Sequence, residues 1–238
     1  NIQALLLHAD VLADTGRANE ALIKLHRVLE LEPANVDAHI RAGKYAMEEK
    51  RWEEAFIAWG LVRRLQPNHI SACLHLAQTL LAMQKPASAR PLLQEYIERM
   101  ADSISSEEKL HVAELMLASG EPRSAIALLE NVHRSFEKTN PLKLQSLRVL
   151  AVALFASERI DEGAGVSRKV LRIDPTCISS MHNLALAAVK NNRYASAWGW
   201  VTRGLRQDPL DNDLRRLRSR LIWEGISKFC KKLLGKRS

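Results

Sequence analysis

The sequence predicts an all-α protein, a solenoid of helical hairpins, and three observations carry that prediction. Proline recurs at a fixed interval just beyond helix-like segments. Pro33 and Pro67 are 34 residues apart, as are Pro175 and Pro209, in the contexts Leu31-Glu32-Pro33, Leu65-Gln66-Pro67, Ile173-Asp174-Pro175 and Gln207-Asp208-Pro209. A proline there cannot continue the helical ladder, and a period of that size marks stacked repeats. Small residues recur in step with it. Ala9, Gly43, Ala77, Ala113, Ala151 and Ala185 are each followed twelve residues later by Ala21, Ala55, Ala89, Ala125, Gly163 and Ala197, as needed where two helix backbones approach closely. Finally, a composition of 47% hydrophobic, 26% charged and 5% aromatic residues fits a folded helical repeat and excludes a disordered chain.

Taken in order, the repeats fall near 2–35, 36–69, 70–103, 106–141, 144–177 and 178–211, so 1–209 is the solenoid and 210–238 a separate basic amphipathic helix. The first repeat turns at Gly16, the second near Lys50. The third turns near Lys85, with Pro86 at the first turn of its second helix, where a missing N–H costs nothing. Pro91 lies deeper and predicts a kink or a late start. In the fourth repeat Ser105 and Glu108 form a capping signature, Gly120 makes the turn and Pro122 opens the second helix. Its small residues lie 36 residues beyond those of the third, and the fifth follows at 38, opening at Asn140-Pro141. Those extra residues are expected to lengthen loops, a change that costs little entropy. The fifth and sixth repeats turn near Arg159 and Asn192.

Four residues beyond the second-helix small positions stand Leu25, Trp59, Leu93, Leu129, Ser167 and Val201. With this register the chain resembles the tetratricopeptide repeat family over about residues 2 to 209. The family's early tryptophan is replaced by Leu5, His39, Cys73, Lys109, Leu147 and Met181, and its tyrosine by Leu12, Ala46, Leu80, Met116, Leu154 and Ala188. These are divergent repeats packed with aliphatics. The resemblance implies a right-handed α-solenoid, its concave surface lined by the first helices, acting as a non-catalytic protein–protein interaction scaffold or adaptor that holds a partner peptide or helix in the groove.

Facing that groove, the first row of positions is Leu6, Ile40, Leu74, Leu110, Arg148 and His182. One turn on lie Asp10, Lys44, Gln78, Glu114, Val152 and Leu186, followed by Ala13, Met47, Leu81, Leu117, Phe155 and Val189. The partner-binding set is expected to be Leu6, Ile40, Leu74 and Leu110 as an apolar stripe, Asp10, Lys44, Gln78 and Glu114 as its rim, and Arg148 with His182 at the far end. The lysines and asparagines of the family's carboxylate-clamp members are missing from these rows. An amphipathic helix or an apolar extended segment suits the stripe better. The competing reading is that neighbouring repeats bury these leucines.

Net charge is +8, and it is unevenly placed: residues 1–202 carry 24 basic and 23 acidic side chains, whereas 203–238 carry 11 and 4. The basic surface comprises Arg215, Arg216, Arg218, Arg220, Lys228, Lys231 and Lys232. On a helical wheel Ile222, Ile226, Phe229, Cys230 and Leu233 share one side and the lysines fall largely on another. The segment from Asp211 to Ile222 is expected to cap the last repeat, as a solenoid requires. Beyond it, an anionic membrane surface is the second partner expected, reached through this helix, with an acidic protein as the alternative. An apolar face and the lack of a stacking platform argue against nucleic acid.

No phosphate-binding glycine loop, His-Glu-x-x-His or nucleophile elbow occurs, so no enzyme activity and no cofactor are expected. Cys73, Cys177 and Cys230 are isolated, which suits a reducing compartment such as the cytoplasm, with peripheral attachment to a membrane as the variant. His69, Cys73 and His75 are too few and too poorly placed for a four-ligand site, so no metal is expected. The chain opens on Asn1 already inside a repeat, which suits a fragment. The second reading of function is therefore an interaction or regulatory module of a larger enzyme or membrane-associated assembly.

Overall fold

In the computed structural model the structure describes residues 1–100, 103–130, 132–137 and 140–234, with side chains as far as residue 224 in the last helix. Among the described residues all regular structure is helical. In chain order the helices are α1 (Ile2–Asp14), α2 (Ala18–Leu31), α3 (Val36–Glu48), α4 (Trp52–Leu65), α5 (Ser71–Ala82), α6 (Pro86–Met100), α7 (Ser106–Ala118), α8 (Pro122–Leu129), α9 (Val132–Ser135), α10 (Pro141–Ala156), α11 (Ile160–Ile173), α12 (Ile178–Lys190), α13 (Tyr194–Gln207) and α14 (Asn212–Leu234).

Local chemistry sets the boundaries. Asn35 starts α3 by accepting a hydrogen bond from the backbone N–H of Ala38 at 2.9 Å, and Asn140 starts α10 by accepting one from Leu142 at 2.9 Å. The hairpin turns place one residue in the left-handed region: Gly16 (φ 75°), Lys50 (58°), Gln84 (58°), Gly120 (84°), Glu158 (61°) and Asn192 (56°). At the third and fifth turns the residue is Gln84 and Glu158, one position before Lys85 and Arg159. A side chain in that conformation costs about 1–2 kcal/mol, which the hairpin packing offsets. The helix containing Pro91 neither starts late nor breaks, because α6 runs from Pro86 through Pro91 to Met100. One lost donor is outweighed by burial of Ala89, Leu92, Leu93 and Tyr96 along a single side. The second helix of the fourth repeat divides instead, α8 ending at Leu129 and α9 resuming at Val132.

The chain forms two compact units. The first comprises residues 1–105 with 114–121, and the second 106–113 with 122–238. In the first, each helix from α1 to α5 packs on its successor, and α1 also meets α3. Ala9, Ala21, Leu25 and Val28 are buried there, followed one period later by Ala55, Trp59 and Val62. In the second, α10 packs on α8, α9, α11 and α12, while α12 packs on α13 and α13 on α14. Leu214, Leu217 and Leu221 of α14 are buried with Ala185, Ala197 and Val201.

Glycine at a small position admits an oversized neighbour. A Cβ on Gly43 would lie 2.7 Å from the Trp59 indole, and one on Gly163 would lie 2.6 Å from the Phe155 ring. On Gly204 it would meet a Leu214 methyl at 2.4 Å. The Trp59 ring is rigid and enclosed, so Gly43→Ala cannot gain the ~1 kcal/mol of helix propensity that alanine ordinarily brings. Overpacking costs about 1–3 kcal/mol instead, and a lower urea midpoint for Gly43→Ala is the expected result.

Candidate functional site

Within each unit the first helices carry the expected row positions, but not in the expected state. Leu6, Leu74 and Leu110 are 4%, 8% and 2% exposed, and Ile40 is half-buried, so the apolar stripe does not lie open to a partner. The reason is angular. Each of those leucines stands three residues before the packed small residue of its helix, Ala9, Ala77 or Ala113, and so shares its inward face. Arg148, at the same position of α10, is exposed, and His182 of α12 is half-buried.

The rim of the first unit is knit to itself. Asp10 of α1 accepts hydrogen bonds at one carboxylate oxygen from the Arg41 guanidinium (2.8 Å) and the Tyr45 hydroxyl (2.6 Å), both on α3. Burial pushes the Asp10 carboxyl up, but the bonds from Arg41 and Tyr45 and the nearby Lys44 charge outweigh it and hold the group below its usual range. Burial, with the bond to Asp10, pushes the Tyr45 phenol well above its usual range. Gln78 sits beside His75, its side-chain oxygen 3.0 Å from the imidazole Nδ1, and the His75 ring stacks on Trp59 at 4.3 Å between centroids. Lys44 is exposed and Glu114 half-buried.

The first helices expose apolar side chains in both units, Leu7 and Val11 of α1 in the first and a group on α10 and α12 in the second. Val152 is 41% exposed, and Phe155, Leu186 and Val189 are half-buried. A cleft of about 580 Å³ is lined by Phe155, Ile160, Leu186, Val189 and Tyr194, with Lys190, Glu158, Arg220 and Glu224 among its charged walls. The expected site set left these apolar residues out. A signal was present: they stand four and seven residues beyond Arg148 and His182, so the polar pair and the apolar pairs share one face.

Along α14, Arg215, Arg216, Arg218 and Arg220 are exposed, and Arg220 pairs with Glu224 at 2.9 Å. Lys228, Lys231 and Lys232 lie outside the residues whose side chains are described. Among the described residues no group of three His, Cys, Asp or Glu side chains is placed to hold a metal, and Cys73 is a buried thiol whose pKa burial pushes up. No described helix is long and apolar enough to cross a membrane.

A family model described as tetratricopeptide repeat matches residues 6–69 and 113–176. Among solved structures the chain is similar to PilW, described as a widely conserved type IV pilus biogenesis factor, at 11% identity over 91% of this chain and 97% of that one, with a TM-score of 0.64. It is similar to PilF of Pseudomonas aeruginosa at 14% identity over 92% and 97%, TM-score 0.61. A MamA structure from MSR-1 matches at 18% identity over 72% and 95%, TM-score 0.61. At these identities the likeness is one of fold. No curated protein sequence matches the chain.

Proposed function

The chain belongs to the tetratricopeptide repeat family, whose members are typically non-catalytic protein–protein interaction scaffolds, and from that premise we propose that it captures one partner segment on the first helices of its second unit. The observation that carries this reading is the cleft floored by Phe155, Leu186 and Val189, with exposed Val152 one turn away on α10. Around it stand Lys190 and Arg220 against Glu158 and Glu224, with Arg220 and Glu224 paired to each other, and Arg148 and His182 lie two turns back along α10 and α12. An occupant with two or three apolar side chains and acidic neighbours fits such a surface, its apolar groups supplying affinity and its charges orientation. In the first unit, exposed Lys44 with half-buried Ile40, Gln78 and Glu114 offers a more polar stretch for lesser contacts.

Peptides selected from a display library against the intact chain are expected to be apolar and acidic. Val152→Asp is expected to weaken their binding by about tenfold or more, the worth of one apolar side chain, and to leave the urea midpoint unchanged. Selected peptides that bind Val152→Asp and Leu186→Asp as they bind the parent chain would place recognition elsewhere.

A further inference from the structure

The last helix carries apolar side chains away from the line by which it is seated. Leu214, Leu217 and Leu221 form the line seated on α12 and α13. Heptad spacing from that line reaches Glu224, Lys228 and Lys231 in the sequence, so the line stops being apolar after Leu221. Ile222 and Trp223 stand off that line, by roughly 110° and 150° at 100° per residue. Both are open to solvent, 47% and 72% exposed. They are not part of the cleft. Arg220 and Glu224 line that, while Ile222 and Trp223 share a face with exposed Arg215, Arg216 and Ser219.

We propose that this second face of α14 docks on an anionic lipid surface, with Ile222 and Trp223 entering the interfacial layer and Arg215, Arg216 and Arg218 meeting lipid phosphates. A helix with tryptophan and aliphatic residues on one side and cations beside them is built for that layer. A second copy of the same helix is disfavoured, because residues 203–238 carry 11 basic against 4 acidic residues and would meet their own charge. Nucleic acid would use the cations and leave the apolar pair without a partner.

The test uses the full chain in co-sedimentation with vesicles of phosphatidylcholine alone and of phosphatidylcholine with phosphatidylglycerol. Binding is expected only to the anionic vesicles and weakens with added salt. Ile222→Ser with Trp223→Ser, and separately Arg215→Glu with Arg216→Glu and Arg218→Glu, are each expected to lower partitioning by about tenfold or more. All of these side chains are exposed, so far-UV dichroism should be unchanged. As a readout independent of folding, brominated lipid should quench the parent's tryptophan emission, and less so in Trp223→Phe. No sedimentation with anionic vesicles, equal sedimentation with neutral ones, or variants that bind like the parent would overturn the proposal. So would capture of a short DNA duplex in place of vesicles.

Discussion

Trp59→Ala is expected to lower stability by about 3–5 kcal/mol, the range for emptying a fully buried aromatic site. Trp59 is 0% exposed and meets three kinds of neighbour at once. Its ring stacks on His75 of α5, its indole N–H donates to the Met47 sulfur of α3 at 3.3 Å, and it fills the space that Gly43 leaves. Alanine would leave a cavity bordered by three helices, and collapse into it is limited because Gly43 has no side chain to move. Repeat chains do not always unfold in one step, so a urea midpoint should be paired with amide exchange. The expected pattern is lost protection in α3, α4 and α5. Unaltered exchange in those helices would show that the repeat does not depend on the ring.

Leu74→Asp and Leu110→Asp should each cost about 4 kcal/mol or more. The two leucines are 8% and 2% exposed. Aspartate there loses the aliphatic packing and buries a carboxylate with no partner built for it. Read from sequence alone, these are groove residues whose replacement would spare the fold, so a stability measurement separates the two assignments cleanly. A loss of helicity or a large midpoint shift is expected for both variants, in contrast to Val152→Asp at an exposed position. Folded, unshifted variants would return Leu74 and Leu110 to the surface.

The helical hairpins were legible because their signals are covalent in spacing: prolines 34 residues apart and small residues twelve apart survive any uncertainty in facing. Facing itself was less legible. A single step along a helix turns a side chain by 100°, so Leu6, Leu74 and Leu110 lie on a shoulder where a small error of angle decides between groove and core. The Asp10–Arg41–Tyr45 cluster joins residues 31 and 35 positions apart, close to one period, and the repeat made them neighbours without revealing which would pair. The break between α8 and α9 has no proline or glycine to announce it. In α14 the exposure of Ile222 and Trp223 acquires meaning only once Leu214, Leu217 and Leu221 show which side is seated.

The pairing of Gly43 with Trp59, Gly163 with Phe155 and Gly204 with Leu214 bears on how such an array changes over time. Volume is held by the pair, so neither member drifts alone. Enlarging Gly43 first costs about 1–3 kcal/mol and emptying the Trp59 site first about 3–5 kcal/mol, so the overlapped intermediate is the milder of the two. Descent through these sites therefore has a direction. In a comparison of related chains, such positions would differ two at a time, and scored singly each would look like a departure when together they preserve the interior.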